Sequence, residues 1–182
     1  MKTVHVFTVL ALAAAGFAVD AMSAADDAKT AYKATTDQAA ESYKTARARC
    51  DLLTGNPKDI CAAEAKAARV YQEANARAIF KNNLSATTEA RKAIANADHD
   101  VEVARCGSLT GNPKDVCLKA AKANLVATLA DAKADRKVIE ARADASEDKR
   151  SADYNVALEK CDAFAGDLKK TCVANVKAQF GK

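Results

Sequence analysis

Tyr32, Thr36, Ala39, Tyr43, Ala46, Cys50 and Leu53 follow one another at steps of four and three residues. Steps of that size put side chains on one stripe of an α-helix and make a seam of heptad period. Ala90, Ile94, Ala97, Val101 and Ala104 form a similar stripe further on. Tyr154, Ala157 and Cys161 restate Tyr43, Ala46 and Cys50, and His99 holds the matching position between them. The pattern predicts helix along most of the chain.

Aligning the chain on its cysteines shows why the seam returns. Residues 48–67 read ARCDLLTGNPKDICAAEAKA, residues 104–123 read ARCGSLTGNPKDVCLKAAKA, and residues 159–178 read EKCDAFAGDLKKTCVANVKA. The step between copies is 56 residues and then 55, so the chain carries one unit three times. Gly55, Gly111 and Gly166 follow the first cysteine of each copy by five residues, as helix-ending C′ glycines do. Asn56 and Asn112 are predicted as N-caps of the next helix, with Pro57 and Pro113 at its first position and Asp59 and Asp115 in its first turn. In the third copy Asp167-Leu168 replaces Asn-Pro.

Each unit is therefore predicted as helix, tight turn, helix, with its two cysteines about one turn from the tip on opposite arms. Six cysteines allow fifteen connectivities. The repeat points to local pairing: Cys50 with Cys61, Cys106 with Cys117, and Cys161 with Cys172. Each bridge would add roughly 2–3 kcal/mol in the chain-entropy model. A helix is expected from Pro57 to about Lys81, then a break at Asn82 and Asn83, with Ser85 or Thr87 capping the next one. Beyond Pro113, the stretch 113–162 holds neither Gly nor Pro. Two outcomes stay open there: one long helix giving coiled-coil arms, or a break near Ser146 or Ser151 giving a compact bundle. The fold class is all-α in either case: disulfide-stapled antiparallel helical hairpins forming a bundle or coiled coil.

Composition sharpens this picture. Hydrophobic residues make up 49% of the chain, but about half of them are alanine. Such a chain cannot fill a thick core, yet it packs helices closely, and alanine has the highest helix propensity. The N-terminus reads differently. Lys2 precedes an uncharged apolar run, Val4 to Val19, and small residues follow at Ala21, Ser23, Ala24 and Ala25. That order is a secretory signal. Residues 1–24 are read as a signal peptide cleaved after Ser23, Ala24 or Ala25, and residues 25–182 as the helical domain. The run is shorter than a bilayer span. No membrane span is expected after cleavage, and the location implied is the periplasm.

The net charge is +4, with both signs interspersed as on a solvated helix face. No basic patch with neighbouring aromatics appears, so nucleic acid is not an expected partner. No Ser/His/Asp set, glycine-rich phosphate loop or spare nucleophilic cysteine appears, so no enzyme, catalytic residue or cofactor is expected. The cysteines lack the short spacings and nearby histidines of a zinc site and the C-x-x-C of a redox pair. One cluster has metal-like residues: Asp98, His99, Asp100 and Glu102. It reads most simply as a packing histidine among solvated carboxylates, and no residue is assigned as a metal ligand. Tyr43 and Tyr154 sit on the seam and are expected in the core.

The turns CDLLTGNPKDIC and CGSLTGNPKDVC and the stretch DAKADRKVIEAR resemble small exported proteobacterial proteins labelled cell envelope biogenesis protein TolA. The resemblance covers nearly all of residues 25–182, including the three cysteine pairs and the ending AQFGK. The likeness to TolA itself is confined to its Ala/Lys/Asp helical segment. The chain shows a signal where TolA has an inner-membrane anchor, and no separate C-terminal globular domain. The resemblance implies a cell-envelope location. The function expected is a periplasmic structural or protein-interaction module with an envelope protein as partner. The alternative is a periplasmic small-ligand or metal-binding protein, stress-related, with the Asp98–Glu102 region as its site. The sequence does not give an oligomeric state.

Overall fold

The computed structural model describes residues 20–182, with side chains from residue 25 onward. Of the signal peptide read over residues 1–24, residues 1–19 lie outside the described residues, and 20–24 open the first helix. Five α-helices follow in order: α1 (Asp20–Cys50), α2 (Gly55–Lys81), α3 (Leu84–Arg105), α4 (Gly111–Cys161) and α5 (Gly166–Phe180). A 3-10 turn, Cys106–Ser108, closes α3. From Pro113 to Cys161 the chain stays helical: α4 runs 51 residues unbroken, about 76 Å at 1.5 Å per residue.

The three tips share one backbone. In each, the N–H three residues after the first cysteine donates to that cysteine's carbonyl, at 3.0 Å from Leu53 and 3.1 Å from Leu109 and Phe164. Thr54, Thr110 and Ala165 are extended, and the glycine after each takes a φ of +61°, +58° or +57°. Left-handed backbone of that kind suits glycine, which has no Cβ to clash. The glycine's role differs from the expected helix stop. α1 ends at Cys50 itself, and Gly55 opens α2. The N-cap positions therefore fall on Thr54 and Thr110, not on Asn56 and Asn112, and neither threonine caps through its side chain. Because the helices start two residues before the prolines, Asp59 and Asp115 lie beyond the first turn. At the opposite end of α2, Asn82 turns left-handed (φ 42°) and the Asn83 side chain accepts the Ala86 N–H at 2.8 Å. Asn83 thus caps α3 in place of Ser85 or Thr87, since amide oxygens make strong N-caps.

Substantial packing joins sequence neighbours only: α1 with α2, α2 with α3, α3 with α4, and α4 with α5. The helices make a single layer, and α3 shows why. Its stripe Ala86, Ala90, Ile94, Ala97, Val101, Ala104 is straddled by the pairs Lys66–Asp100 (2.8 Å) and Glu64–Arg105 (2.8 Å), so it faces α2. A second stripe, Thr88, Lys92, Ala95, His99, Glu102, Cys106, includes the bond from Asn124 to Glu102 and the bridge to Cys117, so it faces α4. At 100° per residue the two stripes lie about 165° apart, nearly opposite. The Ala90–Ala104 stripe, similar in sequence to the Tyr32–Cys50 seam, thus faces a different neighbour; the counterpart 56 residues on is the Thr88–Cys106 stripe, on which His99 holds the position of Tyr43.

The interior is mostly alanine. Ala39, Ala65, Ala74, Ala76, Ala86, Ala90, Ala95, Ala97, Ala121 and Ala132 are buried, with Val101, Leu125 and Val176 among the few larger side chains. The first cysteine of each pair is completely buried. α3 covers the first half of α4 and α5 the last third, leaving residues 137–150 of α4 exposed on every side.

Candidate functional site

The six cysteines form bridges Cys50–Cys61, Cys106–Cys117 and Cys161–Cys172, with Cα separations of 5.4, 5.8 and 5.7 Å. These fall inside the range that unstrained disulfides occupy. They hold the tips and carry out no chemistry that the described residues reveal. Tyr43 and Tyr154 are half-buried on the seams. Each meets the residue eight positions after its second cysteine. Arg69 lies over the Tyr43 ring at 5.4 Å, and Phe180 meets Tyr154 edge-on at 5.5 Å. The equivalent positions in the middle copy are His99 and Leu125.

The acidic cluster around His99 is drawn apart by the layer. Asp100 accepts from Lys66 on α2, and Glu102 accepts from Asn124 on α4. The Asp100 hydrogen bond holds the Lys66 ammonium above the ordinary lysine pKa. Among the described residues, no three His, Cys, Asp or Glu side chains stand together as metal ligands.

A single layer leaves two broad sides open, and on the α1–α2 hairpin they differ sharply. Helical periodicity puts Lys29, Lys33, Asp37, Lys44 and Arg47 of α1 on one side, with Lys66, Arg69, Glu73 and Arg77 of α2. That side carries these nine charged residues and is laced with i,i+4 pairs such as Lys33–Asp37 (2.7 Å) and Arg69–Glu73 (2.6 Å). The other side is an open groove of about 510 Å³, lined from α1 by Ala28, Ala31, Tyr32, Thr35 and Gln38 and from α2 by Tyr71, Gln72, Asn75, Ala76, Ile79 and Phe80. None of these eleven side chains carries a charge, in a chain where 29% of residues do. Ile79 is 78% exposed and Tyr71 58%. Tyr32 and Phe80 stack at 5.1 Å across the groove, tying its two walls together at the open end of the hairpin.

Sequence reading missed this groove. Tyr71 and Ile79 sit off the seam, eight residues apart on α2, and only knowledge that both seams of α2 are already occupied shows that they point outward. A usable signal was present: Ala68, Tyr71, Asn75 and Ile79 recur at steps of three and four with no charge among them.

The tips add a second feature. The tips of the first two hairpins lie side by side, and a Cβ built on Gly107 would stand 2.1 Å from the Asn56 side-chain oxygen. In the first and third hairpins the corresponding residue is aspartate, and it pairs with a lysine across the tip: Asp51 with Lys58 (3.1 Å) and Asp162 with Lys169 (2.8 Å). The middle copy gives up that pair because its neighbour occupies the space. No family model matches this chain, and no curated protein or solved structure matches it.

Proposed function

We propose that this protein is a structural or protein-interaction module of the cell envelope, working in the periplasm, and that the α1–α2 groove is its contact surface. The observation that carries the reading is the contrast between the two sides of one hairpin. Large exposed apolar side chains are unfavourable in water unless something covers them, and contiguous ones mark interaction sites. Interface centres are depleted of charge and enriched in aromatics, as this groove is. Three disulfides suit an oxidising compartment, and the signal-like N-terminus and the resemblance to exported envelope proteins support export.

Site-specific photo-crosslinking in cells tests the proposal. A crosslinker placed at residue 71 or 79 is expected to give discrete adducts identifiable by mass spectrometry. The same probe at Lys33 or Arg77, on the charged side, is expected to give none. Equal labelling from both sides, or adducts from neither, would refute it.

A further inference from the structure

We infer that the Cys161–Cys172 bridge is a redox-sensitive latch: a dithiol opens it before the other two bridges, and opening it releases α5 from α4. The inference concerns the third hairpin and does not rest on the groove.

The three bridges share two of the features that set disulfide stability. Each joins cysteines 11 positions apart, so the loop-closure entropy is the same for all three. Each joins a completely buried first cysteine to a half-buried second one, so access to the sulfur is alike. What differs is how firmly each hairpin holds its two thiols together once the bond is broken. A disulfide resists reduction more strongly the higher the effective concentration of its thiols in the reduced protein. Helices that stay docked keep that concentration high. A helix that drifts away lowers it.

In the first hairpin, α1 and α2 stay in register from the tip to the Tyr32–Phe80 stack, with Ala39, Ala65 and Ala76 buried along the way. In the second, α3 is gripped by α2 on one side and α4 on the other, and Arg91–Asp135 (2.7 Å) ties it to α4 far from the tip. The third hairpin has much less. α5 is 15 residues long, packs substantially on α4 alone, and buries only Val176. Cys172, Val173, Val176 and Phe180 are its only residues that are not largely exposed. Its start is also less fixed. Leu168 stands where the other copies have Pro57 and Pro113, so α5 lacks the locked φ that preforms the first turns of α2 and α4. A helix of this length has little stability of its own once it loses its anchor.

The exchange balances with a dithiol as reductant. One of its thiolates attacks the Sγ of Cys172, the less buried sulfur; the S–S bond breaks, and Cys161 leaves as a thiolate and takes a proton. The second thiolate of the reagent attacks the mixed disulfide and expels Cys172, which takes the other proton. Two electrons pass to the bridge, and the dithiol becomes a disulfide. α5 then leaves the α4 seam, and Tyr154 loses its contact with Phe180.

The test equilibrates the oxidised protein with graded ratios of reduced to oxidised dithiothreitol, traps free thiols by alkylation, and identifies the labelled cysteines by mass spectrometry. Cys161 and Cys172 are expected to be half-labelled at a ratio lower by about tenfold or more than either other pair requires. At a ratio that opens this pair alone, amide exchange is expected to accelerate over residues 166–180 and stay unchanged in α1–α3. Two variants test the cause. Phe180→Ala weakens the docking and should lower the ratio for this pair only, whereas Leu168→Pro restores the proline of the other copies and should raise it. Opening of another pair first, or of all three together, would overturn the latch. So would an open third bridge with α5 still fully protected, or a third pair that ignores both variants.

Discussion

At the scale of single residues, alanine sets the geometry. Its small side chain lets helix axes approach, and the few large residues are left to the seams or the outside. Gly107 shows how tightly neighbouring hairpins meet. It does not need glycine's conformational freedom, since its φ is not positive. Its missing Cβ leaves room for the Asn56 side-chain oxygen of the first hairpin, which a methyl group would push aside. Gly107→Ala is expected to destabilise by about 1 kcal/mol through overpacking. In an Asn56→Ala background the same change should become neutral or stabilising, since alanine is the better helix former. A double-mutant cycle on urea midpoints measures this coupling. Identical effects in both backgrounds would mean that the two tips do not press on each other.

At the scale of elements, the helices differ in how they are held. α2 and α3 are packed on two opposite sides. α5 is packed on one, by a bridge, one aromatic pair, the Asp162–Lys169 ion pair and a hydrogen bond from Arg150 to the Phe180 carbonyl at 2.6 Å. Exposed ion pairs add little, and an isolated helix of 15 residues is marginal in water. The Cys161–Cys172 bridge should therefore decide whether α5 stays docked. Replacing both cysteines by serine is expected to cost roughly 2–3 kcal/mol. Amide exchange should accelerate over residues 166–180 and remain unchanged in α1–α3. Unchanged protection of α5 would show that its packing suffices without the staple.

At the scale of the whole molecule, the layer is long rather than round. α4 alone measures about 76 Å. A compact domain of this length would have a radius of gyration of about 15 Å. Solution scattering should give a clearly larger radius and a maximum dimension of at least about 76 Å. A maximum dimension below about 60 Å would mean that α4 bends back over residues 137–149, which are exposed on every side.

The sequence by itself determined the local structure. Periodicity, the threefold repeat and the tip glycines are short-range features, and the energies behind them act within a turn or two of helix. They gave the all-α class, the stapled hairpins, the Tyr32–Cys50 and Tyr154–Cys161 seams and the helix ending at Lys81. Where two local explanations competed, the pattern misled. Asn56 looked like a cap because Asn-Pro is a common helix start, but the left-handed glycine already lay inside the turn of α2. Ala90–Ala104 looked similar to the Tyr32–Cys50 seam because alanine marks every buried stripe here, whichever neighbour covers it. Only the tertiary structure decided which helix each stripe faces. A residue's periodic position fixes its direction around the helix, not what stands there. That choice strung the helices from one sequence neighbour to the next, drew Asp100 and Glu102 toward different partners, and left Tyr71 and Ile79 in solvent.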